Sequence, residues 1–163
     1  MKHLRISAFL WVTICLVSAP VLAQDQAGTD IDFGVRAGYT KWDSIDQGHF
    51  GVYLNVDEIL PNVMFRPNFE VSLGDVANLF IFNADVAYSF TEFVSAPWNL
   101  YGGGAFSINW VKFNGIDTDS SVGLNAMLGL EYELNNGHEA LVEMRFGLKD
   151  SPDFKLTFGY TLF

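Results

Sequence analysis

Cysteine is almost absent from this sequence, with Cys15 the only one among 163 residues. A single cysteine excludes a disulfide framework and any zinc site built from several thiolates. Proline is also scarce, with five residues, and charged residues make up only 17% of the chain. A chain with so little charge and 15% aromatic residues is not intrinsically disordered. Its length allows one domain, not two.

Basic residues are few as well, since nine Lys and Arg stand against 19 Asp and Glu, giving a formal charge of −10. Proteins that bind nucleic acid need a positive surface, so nucleic acid is not an expected partner. The sequence contains no phosphate-binding loop, haem motif or nucleotide fingerprint. The acidic run at 117–120 lacks the glycine and distant glutamate of an EF-hand loop. We therefore expect neither a cofactor nor a metal site.

The first 23 residues have the layout of a secretory signal peptide. Lys2 and Arg5 form a basic start, 6–17 is a mostly apolar run, and Ala23 closes a small-residue cleavage site. The apolar run is short for a membrane span. We predict that 1–23 is removed, taking Cys15 with it, and that 24–163 forms one β-barrel domain.

No segment after Ala23 keeps helical periodicity for three turns, whereas alternation with a period of two recurs between short turn signals. This pattern predicts eight strands, at 31–42, 49–57, 63–74, 78–91, 98–112, 120–134, 138–149 and 154–163. The links hold turn residues, and Asn136-Gly137 is a strong hairpin signal. Strands joined by such short links run antiparallel. Eight of them can close into an up-and-down barrel without a free edge.

Such a barrel can be a water-soluble carrier with an apolar interior or a transmembrane barrel with an apolar exterior. One face of the strands carries most of the bulky apolar side chains, for example Phe82, Val86, Leu128 and Val142. A narrow eight-stranded interior cannot hold them all. They must face outward, and only lipid tolerates that surface. The sequence therefore predicts an eight-stranded antiparallel transmembrane β-barrel, with a secreted lipocalin-like carrier as the least favoured alternative.

The opposite face carries charged residues of both signs. Burying an isolated charge costs several kcal/mol, so these side chains should pair across the lumen. We predict a polar network that plugs the barrel and has a structural role, with a narrow ion-conducting pore as an alternative. The predicted members are Arg36, Arg66, Glu70, Asp85, Glu131, Glu143 and Arg145.

An even number of strands puts both chain ends on the same side of the membrane, expected to be the periplasm. The links 43–48, 75–77, 113–119 and 150–153 then lie outside the cell. Lys41 and Lys112 lie near the outer ends of their strands on the lipid-facing side. There each lysine could meet a lipopolysaccharide phosphate as a point charge. Ordinary solvation of the barrel rim is the simpler explanation of the same residues.

The final strands carry a resemblance to a known family. The segments concerned are YGGGAF at 101–106, GLN at 123–125, VEMRFG at 142–147 and FKLTFGYTLF at 154–163. They resemble the small outer-membrane β-barrels of the OmpA and OmpX type. The resemblance implies that the last strand is read by the outer-membrane insertion machinery, through Phe158, Gly159, Tyr160, Leu162 and Phe163. It also implies the outer membrane of a Gram-negative-type bacterium, but no single activity. Phe163 departs from the family, because it falls off the lipid-facing alternation that ends at Leu162.

Some barrels of this size resemble lipid A-modifying enzymes, which need a serine nucleophile near a histidine and a carboxylate. Outside the signal peptide the chain has only His49 and His138, and neither is part of a His-x-Ser motif. The predicted topology places the two histidines at opposite membrane edges. We therefore expect a monomer that is not an enzyme. Its predicted partners are outer-membrane lipid, lipopolysaccharide and the insertion machinery.

Overall fold

The structure is a computed structural model that describes residues 31–43, 45–74, 76–113 and 118–162, without the side chains of residues 57 and 58. The predicted signal peptide and Phe163 lie outside these residues. The described chain forms eight strands: β1 (Ile31–Trp42), β2 (Ile45–Leu60), β3 (Val63–Ser72), β4 (Ala77–Ser89), β5 (Trp98–Phe113), β6 (Asp119–Glu133), β7 (Glu139–Lys149) and β8 (Phe154–Thr161). Within the described ranges, no helix is long and apolar enough to cross a bilayer.

The strands close into one barrel in sequence order. Each strand pairs antiparallel with the next, and β8 pairs with β1 from Gly34↔Thr161 to Lys41↔Phe154. The predicted closed up-and-down barrel is confirmed. A closed barrel leaves no strand edge unpaired, so the backbone hydrogen bonds are satisfied without water, as a bilayer requires.

Strand β2 corrects the sequence prediction, which began it at residue 49 and ended it at residue 57. In the structure Trp42 pairs with Ile45, so two residues connect β1 to β2 where a link at 43–48 was expected. Asp43 takes the positive φ of 51° that such a tight turn uses. Asp46 therefore lies inside β2, where its carboxylate accepts a hydrogen bond from the Tyr39 hydroxyl. The other strand ends lie within two residues of the prediction.

The barrel has two distinct ends. The distal end carries the links at 43–44, 73–76, 114–118 and 150–153. The terminal end carries the links at 61–62, 90–97 and 134–138, together with the start of β1 and the end of β8. All four distal links are short, so no long loop can protrude from that end.

The two faces of the strands have opposite chemistry. The outer face is apolar and exposed, with Phe106 67% and Val122 64% accessible. The inner face is buried and mostly polar, and in β3 every second residue from Met64 to Ser72 points inward. The predicted apolar exterior is thus confirmed. Strand β4 makes one departure, because Ala77, Leu79 and Ile81 give the distal lumen an apolar wall.

Candidate functional site: the ionic lumen and the terminal cavity

Charged side chains fill the middle of the lumen. All seven residues predicted for the internal network are between 0% and 3% exposed. Alternation within each strand placed them on the inner face, and the barrel then brings strands β1, β3, β4, β6 and β7 close enough for their side chains to meet. The residues are Arg36, Arg66, Glu70, Asp85, Glu131, Glu143 and Arg145.

Arg145 on β7 is the centre of this network. Its Nη1 and Nη2 donate to Asp85 Oδ1 and Oδ2 at 3.0 and 2.7 Å, a bidentate pair across the barrel. Nη2 also donates to Glu143 Oε1 at 2.7 Å. Such paired, charge-assisted hydrogen bonds are stronger than neutral ones and fix the orientation of the guanidinium. They hold β7 against β4 through the lumen.

Arg36 on β1 extends the network toward the distal end. Its Nη2 donates to Glu143 Oε1 at 2.7 Å. Its Nε lies 3.0 Å from Glu70 Oε1, close enough for an ion pair but not aligned for a hydrogen bond. The second carboxylate oxygen of Glu70 accepts a hydrogen bond from Lys155 Nζ.

Lys155 is a network member that the sequence analysis missed. It lies between the outward residues Phe154 and Leu156, so the alternation of β8 already placed it inside. With Lys155, the described lumen network holds four cations and four carboxylates, and its formal charge is zero. A balanced interior is what burial of so many charges requires, since an unpaired charge in a low dielectric is expensive.

Arg66 on β3 forms a second cluster nearer the terminal end. Its guanidinium pairs with Glu131 and lies 3.3 Å from Asn55 Oδ1. The same group lies 5.5 Å from the ring centroid of Tyr53 and 4.9 Å from that of Tyr101, within the range of cation–π attraction. A carboxylate, an amide and two aromatic faces thus hold one cation.

Tyr101 joins the two clusters, because its hydroxyl donates to Glu143 Oε2 at 2.9 Å. Gly129 on the neighbouring strand makes room for the ring. A Cβ at that position would lie 2.2 Å from Tyr101 Cζ. The inward glycine is therefore needed for this close approach.

The distal mouth is closed by the link at 150–153, which we call the distal cap. Ser151 and Pro152 are buried although they lie in a link. Ser151 Oγ lies 3.0 Å from Ser107 Oγ, and the Asp150 carbonyl accepts from Asn109 Nδ2 at 2.7 Å. The backbone N–H of Asp43 donates to Asp153 Oδ2 at 2.7 Å, which ties the cap to the first hairpin.

The terminal end instead opens into a cavity of about 560 Å³. We call it the terminal cavity. Its floor contains Asn55 and Glu131, and the link at 90–97 forms one side. The remaining lining comes from the ends of β3, β4, β5, β6 and β7 and from the turn at 61–62: Asn62, Val63, Met64, Ser89, Trp98, Asn99, Glu133 and Glu139. This cavity was not foreseen, because the outward and inward faces of strands do not reveal how a link folds over a barrel mouth.

The histidines lie apart from each other. His49 is buried in the distal lumen, with Nδ1 2.7 Å from Thr40 Oγ1 and Nε2 3.1 Å from Thr157 Oγ1. His138 lies at the terminal end, with Nδ1 2.8 Å from the Thr161 carbonyl oxygen. Within the described ranges, no group of His, Cys, Asp and Glu is arranged to hold a metal ion.

The other predicted site residues lie on the outer face. Lys41 on β1 and Lys112 on β5 are exposed near the distal end, on opposite sides of the barrel. In β8, Phe158 and Tyr160 point outward and Gly159 inward, and the Leu162 N–H donates to the Phe33 carbonyl at 2.7 Å. Leu162 is itself exposed, so it occupies the outward position at the end of the described chain.

No protein-family model and no curated protein sequence matches the chain. Solved structures do match it. The chain is similar to Neisserial surface protein A (NspA), with a TM-score of 0.68 and 15% identity over 83% of this chain and 99% of that one. It is also similar to the N-terminal β-barrel domain of Pseudomonas aeruginosa OprF, with a TM-score of 0.57 and 13% identity over 82% and 98%. A third match is Ail, the attachment invasion locus protein of Yersinia pestis, with a TM-score of 0.50 and 14% identity over 82% and 94%.

These matches confirm the resemblance to OmpA- and OmpX-type barrels at the level of the fold, and at such low identity they carry nothing further. The location follows from the surface. A closed eight-stranded barrel with an apolar exterior and a charged, buried interior has the inverse polarity of a soluble carrier. The chain is an outer-membrane β-barrel.

Proposed function

We propose that this protein is a non-enzymatic, monomeric barrel of the outer membrane with a structural or surface-interaction role. The observation that carries the proposal is the charge-balanced network that crosses the lumen. Arg145 bridges Asp85 and Glu143, and Arg36 continues the chain of contacts toward Glu70. Side chains held by several charge-assisted hydrogen bonds leave no continuous water column.

The architecture of the distal end supports a role at the membrane surface. Predicted to face the exterior, this end carries short links and the inward-folded distal cap. Adhesins that depend on long protruding loops need more chain than these links provide. Lys41 and Lys112 on the outer rim suit contact with lipopolysaccharide phosphates, and β8 suits recognition by the insertion machinery.

The surroundings of the histidines support the non-enzymatic part of the proposal. His49 is held between two threonine hydroxyls in the distal lumen, and the His138 ring stacks on Tyr160 with centroids 5.5 Å apart. A serine hydrolase needs its histidine within hydrogen-bond reach of the nucleophile. Neither contact set provides that geometry.

Planar-bilayer recording tests the closed lumen. Purified full-length protein, refolded and checked by its heat-dependent gel mobility, is expected to insert without steady, large conductance. A wide porin inserted under the same conditions is the positive control. A steady conductance with every inserted molecule would contradict the plug, and a steady conductance well below that of the porin would favour the narrow pore that the sequence analysis kept as an alternative.

A further inference from the structure

The link at 90–97 has two unlike sides. It joins β4 to β5 and is eight residues long, whereas the other two links at the terminal end, 61–62 and 134–138, are shorter. Its residues Thr91, Val94 and Ser95 line the terminal cavity. Phe90 and Phe93 are not part of that lining. One side of the link therefore borders the mouth of the barrel, and the other side carries two aromatic rings.

Phe90 lies on the lipid-facing surface of the barrel. Gly102 is on the outward face of β5, and a Cβ at that position would lie 3.1 Å from Phe90 Cε2. The Phe90 ring thus covers the space that an outward glycine leaves open on a strand. It also meets the outward ring of Tyr88 on β4 edge to face, with centroids 5.4 Å apart. The link therefore begins as a continuation of the surface that faces lipid.

Phe93 extends this aromatic surface beyond the end of the strand. Its ring centroid lies 6.1 Å from that of Phe90, and the residue is 75% exposed, more than any other large hydrophobic residue in the described ranges. On the neighbouring strands Trp98 and Tyr132 pair on the outer face at the same end, with centroids 4.6 Å apart. Aromatic rings gather in this way at the level where a membrane meets water.

The polar residues of the link limit how deep it can lie. Thr91 and Glu92, between the two phenylalanines, are both exposed. A carboxylate in the hydrocarbon core of a bilayer is costly, whereas a phenylalanine ring left in water forgoes its transfer to an apolar phase. The depth that satisfies both groups is the interface, with the carboxylate among the headgroups and the ring at the top of the acyl chains.

We propose that the link at 90–97 rests on the membrane interface and that Phe93 inserts into the phospholipid leaflet on the terminal side. Continuity with the lipid-facing surface through Phe90 and Tyr88 identifies lipid as the partner. Outward residues of a strand face lipid because of their alternation, but Phe93 belongs to a link whose other side borders the terminal cavity. The contact therefore holds the mouth of that cavity at the level of the headgroups. It depends neither on the closed lumen nor on which side of the membrane the terminal end occupies.

Site-directed fluorescence in phosphatidylcholine vesicles tests the proposal. Cys15 is the only cysteine of the chain, so a Cys15→Ser background lets a polarity-sensitive dye be attached at one introduced cysteine. Phe93→Cys is the test position. Ser95→Cys is the matched control, because Ser95 lies in the same link and lines the cavity. Phe106→Cys is the positive control for lipid contact, since Phe106 is an exposed outward residue of β5. Heat-dependent gel mobility verifies that each labelled variant is folded.

The dye on Phe93→Cys should emit at shorter wavelength than the dye on Ser95→Cys and should be quenched most by a nitroxide near the top of the acyl chains. The dye on Phe106→Cys should respond most to a nitroxide deeper in the chains, and the dye on Ser95→Cys to a water-soluble quencher. Quenching of the Phe93→Cys dye by the water-soluble reagent alone would overturn the proposal. Equal lipid quenching of the Phe93→Cys and Ser95→Cys dyes would also overturn it, because the dye would then be partitioning by itself. Protection from both quenchers that increases with the protein-to-lipid ratio would assign Phe93 to a contact between copies and contradict lipid as its partner.

Discussion

Each charged side chain in this lumen is tolerated because it is paired with an opposite charge, since burial by itself would be unfavourable. Arg66 and Glu131 form a pair on opposite strands, β3 and β6, with both side chains almost fully buried. Taking a charge out of water costs several kcal/mol, and the paired charge recovers that cost only when the geometry is good. A change to one partner therefore affects stability mainly through the charge that it leaves behind.

This reasoning predicts the outcome of a double-mutant cycle on Arg66 and Glu131. Arg66→Met and Glu131→Gln should each lower the free energy of unfolding by about 3–5 kcal/mol, because each leaves a buried charge without its partner. The double variant restores neutrality and should lose less than the sum of the single losses. Urea unfolding in lipid vesicles measures all three. Glu92→Gln removes the same single negative charge from an exposed position and should stay within about 0.5 kcal/mol of wild type. Additive losses would show that the two residues are not coupled.

The sequence predicted which residues face the lumen but not which of them meet. Alternation assigns Arg66 and Glu131 to the inner face, whereas their contact depends on how far the strands are staggered around the barrel. Lys155 is a second example of a residue whose face could be predicted but whose contact could not. The alternation of β8 places Lys155 on the inner face. Its contact with Glu70, however, depends on the pairing of β8 with β1, which sets the height of Lys155 in the lumen.

At the scale of elements, the turns decide how the strands end. The run at 43–48 contains several turn-forming residues, and for that reason the sequence suggested a long link. In the structure this run instead pairs with β1, and Gln47 and His49 are buried on the inner face of β2. The distal cap is the converse case. Residues 150–153 have ordinary turn chemistry, and nothing in the sequence indicates that they fold into the mouth of the barrel.

Gly123 is predicted to control the position of the distal cap. A Cβ at Gly123 would lie 2.1 Å from Ser151 Oγ and 2.5 Å from the Asp150 carbonyl oxygen. Gly123→Val should therefore push the cap out of the mouth at a cost of about 1–3 kcal/mol, while valine itself suits a strand. Limited trypsin digestion checks this, since cleavage after Lys149 should become faster in the variant.

Gly104→Val is the control for that experiment. A Cβ at Gly104 would meet only the Asn125 carbonyl oxygen, at 3.4 Å, and Gly104 faces lipid. This variant should keep the wild-type digestion rate. If Gly123→Val resisted trypsin as well as Gly104→Val does, the cap would not depend on the space that Gly123 leaves.

At the scale of the whole molecule, the polarity of the barrel is inverted and its two ends are unlike. Apolar side chains cover the outside and a charge-balanced network fills the inside, so the fold requires lipid around it. The distal cap closes one mouth, while the other opens into an acidic cavity. An asymmetric molecule of this kind suits an asymmetric membrane, and the predicted orientation places lipopolysaccharide at the distal end.

The rim lysines provide the test of that placement. Anionic headgroups attract each nearby lysine by an amount that corresponds to roughly fivefold in an equilibrium constant. Lys41→Gln and Lys112→Gln should each lower the folded-to-unfolded ratio by about that factor in vesicles containing lipopolysaccharide, and leave it unchanged in phosphatidylcholine vesicles. Glu92→Gln is the control, because it removes one exposed charge at the terminal end, where no lipopolysaccharide is expected. Ordinary solvation of the rim would make the two vesicle types respond alike. A loss that is independent of lipopolysaccharide, or equal in Glu92→Gln, would therefore rule out specific contact through Lys41 and Lys112.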